Sequence, residues 1–258
     1  MTIRKSGSFA TLDHPLPPAI HKIENLTTMQ KTIIITGANG NLGAATVKKF
    51  LDEGYKVIAV DNSGTHLGFA AGHADFELRQ IDLSDEKAVT GFIDEIISLY
   101  GKVDGALLLV GGFAMGDLSA TDGEALRKMY SLNFETAYFI ARPLFLHMQE
   151  NGYGRIVFMG ARPAIRPEQG KGALAYSMTK AMLFHLAELL NATAKGKNVV
   201  ASVVAPSTID TPINRQSMPD ADPAAWVQPG QIAELLEFIC SGKGDALREP
   251  VYKIYNNS

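Results

Sequence analysis

Seven short runs rich in β-branched and apolar residues recur between amphipathic stretches from residue 31 onward, and this alternation restricts the fold more than any other feature of the chain. The runs are 32–36, 56–61, 76–81, 105–110, 155–159, 199–205 and 251–255. A strand covered on both faces reads as a nearly unbroken apolar run, and two parallel neighbours need a crossover that a helix supplies. The pattern therefore predicts an α/β, doubly wound parallel sheet of about seven strands with helices on both faces. Helices are expected at 41–53, 84–100 with Ser84 as the cap, 122–149, 172–193 and 229–241. No internal repeat or low-complexity tract interrupts this order.

With 258 residues, 46% of them apolar, the chain can bury one large core. Residues 31–258 are expected to form that domain, preceded by a flexible tail over 1–30 in which Pro15, Pro17 and Pro18 cluster and no period is sustained. Met29 stands just before the patterned chain and offers an alternative translation start. The tail has no apolar core of secretory type, and Asp13 and Glu24 offset Arg4 and Lys5 as an organelle address, so a cytoplasmic location is expected. A net charge of −3 without a long basic run argues against nucleic acid or an anionic membrane as partner, leaving a small molecule. Cys240, the single cysteine, allows neither an internal disulfide nor a cysteine-built zinc site. His14, His21, His66, His73, His147 and His185 lack metal-ligand spacing, so no metal is expected; His185 reads as a packing or interface residue.

Between the first strand and the first helix lies Thr36-Gly37-Ala38-Asn39-Gly40-Asn41-Leu42-Gly43. Glycines at 37, 40 and 43 let backbone amides approach a pyrophosphate while the helix N-terminus faces its charge. Asp61 ends the second strand, where its carboxylate can accept from ribose hydroxyls and repel a 2′-phosphate; neither Asn62 nor Ser63 adds a compensating cation. NAD(H) is thus expected in preference to NADP(H). Further along, Tyr176 and Lys180 stand four apart, on one face of a helix, where an ammonium would favour the ionised phenol.

These residues resemble the short-chain dehydrogenase/reductase family from about Lys31 to the C-terminus, which implies a Rossmann-type fold and a homodimer or homotetramer built through the helices at 122–149 and 172–193. The second of these carries Leu183, Phe184, Leu186, Leu189 and Leu190, more apolar surface than one sheet face would hide. The resemblance assigns proton transfer to Tyr176, ribose binding and phenol activation to Lys180, and a water-organising role to Asn133. It also places Asn39, Asn41, Leu42 and Gly111 beside the coenzyme together with the loop glycines. Asp82 and Leu83 fall at its adenine, and Pro206, Thr208 and Thr211 at its carboxamide.

Two departures redirect the substrate. Val110-Gly111-Gly112-Phe113 replaces the family's polar turn after the fourth strand, and Gly160-Ala161-Arg162 stands where a serine hydroxyl usually holds the substrate carbonyl. Loss of one preorganised donor typically costs ~10²–10³ in rate, so an ordinary ketone reductase built this way would be slow. Both departures resemble the dihydropteridine reductases of the family, as does the segment Asp210–Asp222 followed by Trp226. That resemblance implies NADH-dependent reduction of a quinonoid dihydropteridine, an acceptor already activated by conjugation, with Phe113, Ala161, Arg162 and Trp226 lining the substrate side. Trp226 reads equally as a packing anchor, Asp210 and Arg215 as an ion pair, and Met159, Met178 and Met182 as core or pocket lining. Two other readings stay open: an alcohol or carbonyl oxidoreductase in which Thr208 or Ser207 replaces the missing donor, and a non-enzymatic nucleotide sensor, which would need no proton donor.

Overall fold

The computed structural model describes residues 30–63 and 67–257. The expected tail up to Met29 and three of the histidines, His14, His21 and His66, lie outside the described residues. Strands β1 (Thr32–Thr36), β2 (Lys56–Asp61), β3 (Phe76–Gln80), β4 (Gly105–Leu108), β5 (Tyr153–Met159), β6 (Asn198–Pro206) and β7 (Val251–Ile254) form one sheet in the order β3-β2-β1-β4-β5-β6-β7. Every pairing is parallel, in agreement with the alternation read from the sequence. The winding direction reverses between β1 and β4, whose ends meet at Thr36 and Leu108. Chains leaving those two ends diverge and open a crevice at the carboxyl edge, the place where open α/β sheets bind ligands.

Side-chain alternation in β1 divides the core into two layers. Ile34 packs with Phe92, Ile93 and Ile96 of α2 (Glu86–Tyr100), with Ile140 and Leu144 of α4 (Thr136–Asn151), and with Leu183 of α6 (Leu174–Thr193). Ile33 and Ile35 point to the other face, against Val47 and Phe50 of α1 (Asn41–Asp52) and Ile232 and Leu236 of α8 (Pro229–Cys240). The opposite, amino edge of the sheet holds a buried charge: Arg155 donates to the carbonyl and Oδ1 of Asn198 and pairs with Asp245 at 3.1 Å.

The boundaries differ from the sequence reading in three instructive places. Asp85, not Ser84, caps α2, accepting from the Lys87 and Ala88 amides, while the Ser84 hydroxyl donates to Asp82. β4 stops at Leu108 although Leu109 and Val110 continue the apolar run, because their amides turn to the Thr36 hydroxyl at 3.0 and 3.4 Å. The expected helix over 122–149 is α3 (Gly123–Tyr130), a π-helical turn at Ser131–Glu135, and then α4. Asp122 caps α3, accepting from the Glu124 and Ala125 amides. The short helix α5 (Pro167–Gly170) precedes α6, and much of the apolar surface of α6 is hidden within the chain: Leu183 is core, and Phe184, Leu186 and Leu190 pack against it.

Candidate active site

At the end of β1 the chain turns through Gly37, whose φ of +66° is left-handed, and enters α1 with no side-chain hydrogen bond at its cap, Gly40. A Cβ on Gly43 would lie 2.0 Å from the Gly37 oxygen and 2.8 Å from Ala38 Cα, so the first turn of α1 rests directly on the loop backbone. Asn41, Leu42 and Gly43 form that turn, which carries no acidic side chain, and its amides and the positive end of the helix dipole face the crevice. Asp61, at the end of β2, accepts from the Asn39 amide at 3.0 Å and from the Ser63 amide and hydroxyl at 3.2 and 3.1 Å. The Asn39 amide nitrogen donates to the Ser63 hydroxyl, leaving Asn39 Oδ1 buried without a partner. A glycine cradle, an uncapped helix end and a buried unmatched acceptor fit a dinucleotide; Asp82 and Leu83 flank the same edge, with Leu83 packed into the core and Asp82 held by Ser84.

Further along the crevice, α6 presents Tyr176 and Lys180 one turn apart, and the π-turn presents Asn133. Asn133 is wholly buried; its Oδ1 accepts from the Gly112 amide at 2.9 Å and its Nδ2 donates to the Gly112 carbonyl at 3.1 Å. A Cβ on Gly111 would come within 2.7 Å of Asn133 Oδ1 and 2.8 Å of Lys180 Nζ, so this turn is glycine because two polar side chains close on it. Phe113 follows, set edge-on against the Tyr176 ring. The loop is tied to the start of α6 by Gly116, which donates to the Gly172 carbonyl and accepts from the Leu174 amide.

The electrostatics of the pair differ from the sequence expectation. Lys180 Nζ donates to the Met159 carbonyl at 2.8 Å, and burial lowers its pKa to about 8. Burial pushes the Tyr176 phenol up to about 12, and the neighbouring ammonium does not offset that shift. The phenol is thus a firmly protonated acid rather than a phenolate-prone group.

Ala161 is buried directly after β5, with no side-chain donor to offer. Arg162 lies over the Tyr255 ring at 5.3 Å. Trp226 retains 4% exposure and is a packing anchor rather than an open wall; its carbonyl accepts from Asn256. The loop around it is closed by a parallel bridge between Ile209 and Val227, with the Thr208 carbonyl accepting from the Val227 amide. Within that loop Thr211 caps α7 (Pro212–Ser217), and Asp210 makes two bonds to Arg215, at 2.6 and 2.7 Å, which hold its carboxyl down at about 2. Pro206 ends β6 in register with Ile254. The Ser207 hydroxyl donates to the Tyr255 carbonyl. Sequence reasoning missed Ser63, which holds Asp61, and Arg166 and Tyr255, which line a cleft with Arg162; a polar residue two after an acidic strand end was the available signal for the first. Among the described residues no cluster of three or more His, Cys, Asp or Glu side chains gathers, and no helix is long and apolar enough to cross a membrane.

Comparison with known proteins shows the family and the fold. The short chain dehydrogenase family model matches residues 31–222. A dihydropteridine reductase from Dictyostelium discoideum is 30% identical over 212 residues, covering 81% of this chain and 87% of that protein. The 3-oxoacyl-[acyl-carrier-protein] reductase MabA of Mycobacterium bovis is 27% identical, covering 83% and 86%. Among solved structures, a 3-ketoacyl-(acyl-carrier-protein) reductase from Brucella melitensis complexed with NADH superposes with a TM-score of 0.76 at 22% identity, over 88% of this chain and 97% of that one. ElxO with NADP bound gives 0.81 at 21% identity, over 88% and 98%, and shares the fold.

Proposed function

Because the chain belongs to the short-chain dehydrogenase family, we propose that it is an NADH-dependent reductase whose acceptor is a quinonoid dihydropteridine. The observation that carries this reading is the combination of a protonated, partly buried phenol, Tyr176, with Ala161 in the place of a hydroxyl donor. A carbonyl needs such a donor to stabilise the oxyanion that forms on it, whereas a conjugated C=N system spreads the incoming charge over its own ring. The likeness to a dihydropteridine reductase supports the same choice.

The loop 37–43, Asp61, Asn39, Gly111 and Thr211 would hold the coenzyme, which when bound supplies the hydride. Tyr176 keeps its proton at neutral pH because burial disfavours the phenolate, and so it can deliver that proton to the acceptor atom that gains electrons. Lys180, anchored on Met159, would bind ribose hydroxyls and carry positive charge next to the phenolate as it forms. Asn133 fixes the Gly112 backbone, and Gly112 in turn sets Phe113 against Tyr176. Asp61 favours NADH, since its carboxylate would face a 2′-phosphate with like charge. Residues 31–258 act as the catalytic domain of a cytoplasmic homodimer or homotetramer, supported by the apolar side chains that remain exposed on α4 and α6, among them Leu146 and Leu189. Steady-state oxidation of NADH by quinonoid dihydropterin tests the reading: catalysed turnover is expected, and a rate equal to the uncatalysed background would overturn it.

A second reading, an NAD-dependent carbonyl oxidoreductase, is favoured by the likeness to 3-oxoacyl reductases. Thr208 would then have to polarise the carbonyl, since the Ser207 hydroxyl is engaged with Tyr255. A panel of pterins, quinones and small ketones separates the two.

A further inference from the structure

The end of β2 and the turn after β1 are joined by a closed ring of Asp61, Ser63 and Asn39. Asp61 Oδ2 accepts from the Asn39 amide at 3.0 Å, and Asp61 Oδ1 accepts from the Ser63 hydroxyl at 3.1 Å. The Ser63 hydroxyl oxygen in turn accepts from Asn39 Nδ2 at 2.9 Å, and the Ser63 amide adds a second bond to Asp61 Oδ1 at 3.2 Å. Asn39 stands inside the glycine cradle, where the Gly40 amide donates to the Gly37 carbonyl at 3.1 Å. One hydroxyl therefore links the carboxylate at the end of β2 to the loop that opens α1.

A hydroxyl has a single proton to give. In Ser63 it goes to the Asp61 carboxylate, the charged and therefore stronger acceptor, so the Ser63 oxygen meets Asn39 only by accepting. That decides which way the Asn39 amide faces: Nδ2 turns to Ser63, and Oδ1 is left buried without a partner. An amide free to choose would turn its oxygen toward a donor. Asp61 is held as firmly. A carboxylate offers about four lone-pair sites, and the Asn39 amide, the Ser63 amide and the Ser63 hydroxyl occupy three of them. The carboxylate cannot turn without breaking a bond on each oxygen, and its open site accepts a hydroxyl but repels a phosphate.

We propose that Ser63 is a coenzyme-specificity residue: its hydroxyl holds the Asp61 carboxylate and the Asn39 amide in the one arrangement that takes an unphosphorylated ribose and rejects a 2′-phosphate. Ser63 is a positioning residue, acting through Asp61 and Asn39. This inference rests on the reading of Asp61 as the residue that meets the adenine ribose of NADH. Without the hydroxyl, Asp61 keeps two amide donors but loses the bond that fixes its rotation. The Asn39 amide is then free to turn Nδ2, a donor, toward a phosphate oxygen. The loss falls on NADH and not on NADPH.

The test titrates NADH and NADPH calorimetrically into the unmodified protein, Ser63→Ala and Ser63→Thr, and reads the ratio of the two Kd values. The unmodified protein should bind NADH more tightly. Ser63→Ala should weaken NADH about tenfold and leave NADPH unweakened, so that the preference falls by about the same factor; Ser63→Thr, which keeps a hydroxyl, should retain the preference. A purely structural role would weaken both coenzymes alike, and an unchanged ratio in Ser63→Ala therefore overturns the proposal. A second comparison places Ser63→Ala in the Asp61→Ala background. Because the hydroxyl acts through the carboxylate, the ratio should move no further there, and a full additional tenfold change overturns that route. A protein that prefers NADH and keeps its preference in Ser63→Ala removes the role of Ser63 alone. An unmodified protein that binds NADPH as tightly as NADH overturns the Asp61 reading together with it.

Discussion

The ring of Phe113 meets that of Tyr176 edge-on, with centroids 5.0 Å apart and planes at 77°. Tyr176 is fixed by α6, whereas Phe113 stands in a loop and is 61% exposed. One side chain therefore joins the proton donor to the mouth of the site: the same ring that steadies the phenol offers its outer face to an entering heterocycle.

Phe113→Leu keeps apolar bulk but removes the aromatic pair, which is worth about 0.5–1.5 kcal/mol beyond area burial. The expected result is a several-fold higher KM for dihydropterin, by roughly that free energy, with NADH affinity unchanged. Fluorescence titration of NADH alongside steady-state kinetics checks both halves.

Gly43→Ala places a methyl group against the Gly37 carbonyl, at a separation of 2.0 Å before any movement. The backbone on either side must shift, at a cost of about 1–3 kcal/mol, and the cradle moves with it. A lowered Tm together with at least tenfold weaker NADH binding is expected. Gly230→Ala, where a Cβ meets nothing within 4 Å, is the control.

Lys180→Met separates the coenzyme role of the lysine from its stability cost. Burial takes the ammonium from 10.5 in the free side chain to about 8, so folding disfavours the charged form. That cost is fully present below about pH 8 and fades as pH rises toward 10.5, across which window the unmodified protein gains stability. The methionine variant should lack this rise. Measured by denaturant unfolding, the difference in stability between the two proteins should change by about 3 kcal/mol from pH 7 to pH 10.5 in favour of the lysine. NADH binding should be lost in the variant at every pH.

Asp61→Ala removes the acceptor of the Asn39 amide and of Ser63, as well as the charge that opposes a 2′-phosphate. NADH affinity should fall about tenfold, and the ratio of NADH to NADPH affinity should move toward one. Calorimetric titration of each coenzyme reads both effects.

The sequence carried the sheet because burial on both faces writes itself as runs such as Thr32–Thr36, and it carried the glycine turn and the Tyr176–Lys180 face because both depend on spacing alone. It did not carry the π-turn that points Asn133 inward: one added residue in a helical turn alters no hydrophobic period strongly enough to see. The early end of β4 was hidden for a related reason, since Leu109 and Val110 are apolar but bond to a threonine hydroxyl on the next strand. Burial reversed the expected direction for Tyr176, a balance of desolvation against charge that spacing cannot weigh. Arg166 and Tyr255, about ninety residues apart, meet only in the folded chain.

The central claim is that Tyr176 gives its proton to a conjugated acceptor reduced by NADH. Its most direct measurement is the steady-state turnover of quinonoid dihydropterin by the unmodified protein and by Tyr176→Phe, each saturated with NADH. The account predicts a kcat lower by ~10²–10⁴ in the variant with NADH affinity preserved; equal turnover by the two proteins would contradict it.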